Sequence, residues 1–273
     1  MITFFRHIRQ SLIMKNQTGK YFKYAIGEIF LVVIGILIAL QVNNWNEERL
    51  EKTRIKKYAK SLIQDLENDI KMLNISRIQA EKTYSDIDSL KNYIRITPTE
   101  ELSNIDLLIL THDNLYRPFK WNRSTFDEIK SSGSLRYITN DSLEKKIVEY
   151  EAFARHLDED FSQDKNSAAK VNDIRVTIIN FNSAYLDKLL EEEKTEIGLV
   201  ERNLFEKPHY KIAKENDLQL LTYNITAINT LVNRAIIIQN QLRTRAFLEL
   251  PNIIRDAQHM IALLKQEYQI EDD

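Results

Sequence analysis

From Ala25 to Val42 the chain reads AIGEIFLVVIGILIALQV, with one ionised residue, Glu28, and otherwise almost no polar position before Gln41. These eighteen residues would extend about 27 Å as an α-helix, at roughly 1.5 Å each, which matches a bilayer's hydrocarbon core. Tyr21, Phe22 and Tyr24 precede the run and Trp45 follows it, where an interfacial aromatic belt belongs. The pattern predicts one transmembrane helix. A cleaved signal peptide is the competing reading, because the first 24 residues are basic. Signal peptides have shorter apolar cores and end on small residues; here Ala39-Leu40-Gln41-Val42 leads to Asn43-Asn44-Trp45 without an A-x-A site.

Beyond the run the pattern changes to a heptad. Ala59, Leu66, Leu73, Ala80, Ile87 and Ile94 recur every seven residues, with Leu62, Ile63, Ile70 and Leu90 beside them. This is the seam of a bundle or coiled coil. Asp69, Ser76 and Thr83 dilute the partner position, which favours a mixed bundle over a two-stranded coil. Thr97-Pro98-Thr99-Glu100 reads as a fresh start, with Thr97 as N-cap and Glu100 as capping-box acid. The helix so begun carries Leu102, Ile105, Leu108 and Ile109. An irregular aromatic stretch follows through Tyr116, Pro118, Phe119 and Trp121. Ser124 then caps a short helix that Gly133 ends.

From Asp141 a long pattern runs through Leu143, Ile147, Tyr150, Ala154, Leu157 and Phe161, and resumes at Ala168, Val171, Ile174, Ile178, Phe181 and Tyr185. An irregularity is expected between Asp164 and Ser167. A Glu-rich connector (Glu191 to Glu196) leads to Gly198 and a loop at Pro208. The last pattern takes in Leu221, Ile225, Ile228, Val232, Ala235, Leu242 and Ala246, kinks at Pro251, and continues through Ile254, Ala257, Ile261 and Leu264. The expected fold is all-α: one N-terminal transmembrane helix continuing into an elongated antiparallel helical bundle. The expected organisation is a basic amphipathic arm (1–24), the span (25–42) and a bundle domain (43–273).

Composition agrees with that reading. Five Gly and four Pro among 273 residues leave few breakers, as suits a mostly helical chain. With no Cys there is neither disulfide nor thiolate chemistry. Residues 1–42 hold five Lys/Arg and one acid, so of the chain's 38 basic and 40 acidic residues 33 and 39 lie beyond the run. That acidic body argues against nucleic acid as a partner. Phe4, Phe5, Ile8 and Leu12 share one face of the basic arm, opposite Arg6, Arg9 and Gln10, a pattern for a membrane surface or for a disordered basic tail. A basic, acid-free arm before an uncleaved run orients the N-terminus inward, with the body outside the cytoplasm of a bacterial inner membrane. Six Lys/Arg within residues 43–60 weigh against that orientation.

The stretch YAIGEIFLVVIGILIALQVNNWNEE (Tyr24 to Glu48), with polar residues at Glu28, Gln41, Asn43, Asn44 and Asn46, resembles the signature of an uncharacterised family of single-pass bacterial membrane proteins, domain-of-unknown-function family 6090. The arm Phe4-Phe5-Arg6-His7-Ile8-Arg9 and the segment Glu128-Ile129-Lys130-Ser131-Ser132-Gly133-Ser134-Leu135 extend the likeness. The resemblance implies a helical, membrane-anchored protein and brings no activity, ligand or catalytic residue.

The search for chemistry is sparse. His7, His112, His156, His209 and His259 form no H-E-x-x-H pattern, and Walker, Rossmann and G-x-S-x-G fingerprints are missing. Glu206 and His209 have di-iron spacing, but Pro208 interrupts them and no second pair exists. His156, Asp160 and Asp164 stand at four-residue steps on one helix face, either a weak cation site or a solvated charged face. Tyr116, Phe119, Lys120, Trp121 and Arg123 form a basic-aromatic patch, either a partner contact or a loop packed over the bundle. In the span, Gly27, Leu31, Gly35 and Ala39 line one face, and Gly35 with Ala39 makes a small-xxx-small pair. Glu28 beside them is an ionisable group at a membrane position, a functional candidate by default. Gly27, Glu28, Gly35 and Ala39 are therefore the candidate residues for association in the membrane.

No cofactor, metal or catalytic residue is expected. The leading functional reading is a non-enzymatic, membrane-anchored interaction or scaffold protein. Its partners would be the lipid bilayer and either a second copy or another membrane protein. The alternatives are a ligand-sensing bundle acting through a partner membrane protein, and an ion- or proton-coupled subunit using Glu28.

Overall fold

A computed structural model describes residues 18–112, 115, 116, 118–138, 140–185, 189 and 204–271. The arm before Thr18, the connector Glu191 to Glu196 and Gly198 lie outside the described residues. Among the described residues the regular structure is helical throughout. The chain divides into two compact units, residues 1–58 and 59–273.

The first unit is the N-terminal part of α1, Thr18–Ile96. Ile29 to Leu40 are exposed on every side of the helix. A helix that is apolar all round requires either a protein core or a membrane around it. In length and composition this one is sufficient to cross a bilayer, and none of its most apolar window is buried.

The second unit begins where the heptad begins. Ala59, Leu66, Leu73, Ala80 and Ile87 are buried, as are Leu62, Asp69, Ser76, Thr83 and Leu90 at the partner position. Both rows of the seam therefore face the core. α1 stops at Ile96, two residues before Pro98, because a residue preceding proline is pushed out of the α region.

The restart differs from the sequence expectation. Thr99–Glu101 is a single 3-10 turn without a side-chain cap. Helix α2 is only Asn104–Leu110, and its N-cap is Ser103, whose Oγ accepts from Asp106 N at 3.3 Å. Tertiary bonds decide this. Ser103 N–H donates to Tyr93 Oη (2.9 Å), and the Asp217 carboxylate accepts from Ser103 Oγ (2.5 Å) and Ile105 N (2.9 Å).

Helix α3, Ser124–Ser131, has Arg123 at its N-cap position without a side-chain cap bond, so Ser124 is the first helical residue rather than the cap; Asn122 Oδ1 accepts from Ser124 N (3.2 Å) and Ser124 Oγ (2.8 Å). It ends as expected on Gly133, which takes the left-handed φ of 68° that a side chain would disfavour. Helix α4, Asp141–Ile178, is capped by Asn140 and runs unbroken through Asp164 to Ser167. The expected irregularity is absent because Asp164, wholly buried, has found charged partners in the core.

Helix α5, Pro208–Glu215, places Pro208 at its first turn, where the missing N–H does no harm, so the expected loop there is helical. Helix α6, Ile225–Thr244, starts on Asn224, whose Oδ1 accepts from Thr226 N (2.8 Å) and Ala227 N (3.2 Å). A π-helical turn, Arg245–Glu249, joins it to α7, Leu250–Tyr268. The expected disturbance at Pro251 is this turn: proline cannot donate to the carbonyl four residues back and its ring crowds it, and a widened turn relieves both.

Contacts along the helices fix their directions. Glu67 lies 3.8 Å from Lys265, the Tyr84 ring 5.4 Å from Phe247, and Lys91 Nζ 3.2 Å from Gln239 Oε1. Numbers rise on α1 as they fall on α6 and α7, so these run antiparallel. α4 also opposes them, with Asp164 beside Arg245 (3.1 Å) and Leu221 N donating to Ile178 O (2.8 Å). α1 and α4 are therefore parallel, and the segment 97–140 carries the chain back between them. Leu90, Ile178, Ile228, Leu231 and Leu242 fill the space among the three. A smaller cluster of Ile105, Ile109, Leu189, Leu204 and Ala213 lies beside α2 and α5.

The cap at Asn224 gives a direct check. Asn224→Ala should lower stability by about 1 kcal/mol, roughly 2–4 °C in Tm for a unit of this size, read by thermal circular dichroism. An unchanged Tm would mean that solvent satisfies the first turn equally well.

Candidate functional site

The residues singled out in the span lie on the exposed part of α1. Gly27, Gly35 and Ala39 are exposed and Glu28 is half-buried. A Cβ placed on Gly27 or Gly35 would meet nothing within 4 Å. The small-residue face is thus open on the single chain, and bulk there disturbs no contact of this chain.

A second constellation lies inside the bundle, where α4 meets the π turn. Arg245, 7 % exposed, projects from that turn between α4 carboxylates. Its Nη1 lies 3.0 Å from Asp160 Oδ2 and 2.5 Å from Glu249 Oε2, and its Nε donates to Asp164 Oδ2 at 3.1 Å. Tyr116, from the aromatic stretch, donates its hydroxyl to the same Asp164 oxygen at 3.0 Å. His156 Nε2 stands 3.1 Å from Asp160 Oδ2 and 3.8 Å from Glu249 Oε1. The ligand atoms of His156, Asp160 and Glu249 all fall within 4.8 Å of one another.

Helical spacing explains the assembly. His156, Asp160 and Asp164 succeed one another at four residues and so share a face of α4. Arg245 and Glu249 do the same across the π turn. Burial pushes the Asp160 and Asp164 carboxyls up, against the pull of Arg245. For Arg245 burial alone would favour the neutral form, but Glu249, Asp164 and Asp160 outweigh it and its pKa is raised. The guanidinium stays charged. Three carboxylates surround it, so the group carries more negative than positive charge.

The solvated-face reading of His156, Asp160 and Asp164 is therefore corrected. Asp160 and Asp164 are core residues, and only His156 reaches solvent, its side chain half exposed. Asp164 turns to Arg245 and Tyr116, and Glu249 takes the third place beside His156 and Asp160. Sequence reasoning missed Arg245 and Glu249. The available signal was an Arg within the last apolar pattern, six residues before Pro251 and beside Leu242 and Ala246.

The basic-aromatic patch is a packed loop. Tyr116 and Phe119 are buried, and the Trp121 ring meets Phe126 at 5.3 Å and Tyr150 at 5.9 Å. Arg123 lies 5.2 Å over Trp121 and 3.5 Å from Glu151. Two α1 carboxylates fasten this loop. Asp65 accepts from Asn122 Nδ2 and Thr125 Oγ1, each at 2.5 Å, and Asp69 accepts from Tyr150 Oη at 3.1 Å and Asn122 N at 3.4 Å. Burial pushes Asp69 from 3.8 up to about 6, although the Asn122 and Tyr150 bonds oppose it.

Glu206 lies in a 3-10 turn and His209 in the first turn of α5, so the pair does not share a regular helix. No curated protein and no solved structure matches the chain. A family model does match, over residues 28–160, from the exposed apolar helix through the loop fastened by Asp65 and Asp69 to Asp160. That model is of a family of unknown function, DUF6090, to which residues 28–160 are similar.

Proposed function

We propose that this is a single-pass, membrane-anchored interaction protein without catalytic activity. Its N-terminus lies in the cytoplasm of a bacterial cell and its bundle outside the inner membrane. One observation carries the reading: the apolar residues of α1 from Ile29 to Leu40 are exposed on all sides. In water a surface of that kind is strongly unfavourable, whereas in a bilayer each residue is at home. Leu66, Leu73, Leu143, Ile228 and Leu231 are fully buried and pack the second unit as a rigid body.

Within the membrane the open face at Gly27, Gly35 and Ala39 is the surface through which a second helix approaches, and Glu28 bonds across it. Gly35→Ile would hold the partner backbone away and remove the packing that drives association where lipid is as apolar as leucine. Cross-linking in native membranes should lose most of its dimer yield with Gly35→Ile, keep it with Glu28→Gln, and lose part with Glu28→Leu. Equal yields in all variants would end the association reading.

The anchor itself is tested by alkaline carbonate extraction and by protease on spheroplasts. The chain should stay in the membrane pellet, and a C-terminal tag should be removed while an N-terminal one survives. Release by carbonate would overturn the anchor; protection of the C-terminal tag would overturn the orientation.

A further inference from the structure

The buried charges at the π turn do not balance among themselves. Asp160, Asp164 and Glu249 bring three carboxyl groups, and among the described residues Arg245 from the π turn supplies the guanidinium that they contact. Tyr116, from the aromatic loop, is a neutral donor. Three carboxyl groups thus share one guanidinium, in a setting where uncompensated charge is expensive.

The orphaned oxygens mark where compensation is missing. Asp160, 7 % exposed, has its Oδ2 buried without a hydrogen bond among the described residues; Arg245 Nη1 is 3.0 Å away but not in hydrogen-bond geometry. That same oxygen faces His156 Nε2 at 3.1 Å, and His156 Nε2 faces Glu249 Oε1 at 3.8 Å. Metal bonds of about 2.0–2.2 Å to nitrogen and carboxylate place neighbouring ligand atoms roughly 3–3.6 Å apart. The 3.1 Å separation falls inside that range, the 3.8 Å one just above it, and all three atoms lie within 4.8 Å of one another.

We propose that His156 Nε2, Asp160 Oδ2 and Glu249 Oε1 bind one divalent transition cation of the zinc class, linking α4 to the π turn. One imidazole and two carboxylates are a borderline ligand set that suits zinc better than magnesium. The cation would add positive charge beside carboxyl groups that share a single guanidinium. Arg245 holds Glu249 by its other oxygen, Oε2, at 2.5 Å, which leaves Oε1 for the metal and orients it, as outer-shell partners do. Asp164 and Tyr116 in turn fix the Arg245 side. His156, half exposed, gives the ion access from solvent.

The test uses the full chain in detergent, stripped with a chelator and titrated calorimetrically with Zn²⁺ alone and with Mg²⁺ alone. The expected result is one Zn²⁺ per chain, bound at least tenfold more tightly than Mg²⁺. Loss of an outer-shell partner weakens metal sites about 10–100-fold, so His156→Gln, which removes a ligand, should weaken Zn²⁺ by at least that much. His156 is half exposed, so the variant should fold, as circular dichroism would show. Asp160→Asn should weaken Zn²⁺ similarly, and His259→Gln, on an exposed position of α7, should not. Zn²⁺ binding that survives His156→Gln overturns the site. So does equal affinity for Mg²⁺, which would mean unspecific attraction to carboxylates. No Zn²⁺ binding by the parent overturns it as well.

Discussion

Arg245→Met should lower the stability of the bundle by about 3–5 kcal/mol, the usual effect of removing one partner from a buried ion pair. Methionine keeps much of the packing of the arginine stem, so the loss isolates the charge. Asp160, Asp164 and Glu249 would then face one another inside the core with no guanidinium between them. For a unit of this size the fall corresponds to roughly 10 °C or more in Tm. The variant should recover as the pH falls, because Asp160 and Asp164 already titrate high and would take up protons more readily still. Asp164→Asn in the same chain should restore part of the loss, since it removes one of the stranded charges and keeps an acceptor for Tyr116. Thermal unfolding of parent, single and double variants decides the matter. A Tm within about 1 °C of the parent for Arg245→Met would show that the pairs are solvated and add nothing.

Asp69 provides the second large effect, with the opposite sign. Burial raises its pKa from 3.8 to about 6, so the folded chain holds a proton there more tightly than the unfolded chain does. The linkage follows from that direction. Between those two values the folded state binds more protons, and stability falls as pH rises. Above about pH 6 the ionised carboxylate destabilises the fold by about 3 kcal/mol relative to its protonated form, at 1.36 kcal/mol per unit. Asp69→Asn removes the charge and still offers an oxygen to Asn122 N–H and a polar group to Tyr150. It should be more stable than the parent at pH 7.5 by about 2–3 kcal/mol and indistinguishable from it near pH 3.5. Denaturant unfolding at the two pH values is the measurement. Parallel pH profiles for parent and variant would remove Asp69 as the source, leaving Asp160 and Asp164.

How far the fold could be read from sequence varied with the kind of signal. The heptad from Ala59 to Ile87 was legible because burial in a helical bundle repeats with the helix itself. The same rule located α4 and the α6–α7 pair, with Gly133 and Pro251 as punctuation. Local rules failed where distant partners decided. Thr97 and Glu100 satisfy a capping pattern, yet Asp217, more than a hundred residues away, holds Ser103 and Ile105 and moves the cap. Asp164 looked like a break in an apolar face because the sequence does not show Arg245 opposite it. Two of the three proposed metal ligands, His156 and Asp160, were visible as a pair on one helix face. Glu249 was not, since it lies on a different helix and the sequence does not show which helix faces His156 and Asp160. The open face at Gly27, Gly35 and Ala39 was read directly, because it depends on spacing within one helix.

The directions of the helices also constrain how the chain can be made. The seam of α1 is covered at its lower end by α7, where Glu67 meets Lys265, and roughly 200 residues separate the two in the chain. At about 5–20 residues per second of synthesis, α1 waits on the order of 10–40 s before its last neighbour exists. Through that interval the apolar rows at Leu66 and Leu73 have only the loop at Asn122 and Thr125 and the Tyr150 part of α4 beside them, while the segment before them is already apolar enough to engage a membrane. A nascent chain of this kind needs a holding factor or early docking to the bilayer. Chains cut short before α7 should be cleared by proteases rather than accumulate as a partial bundle.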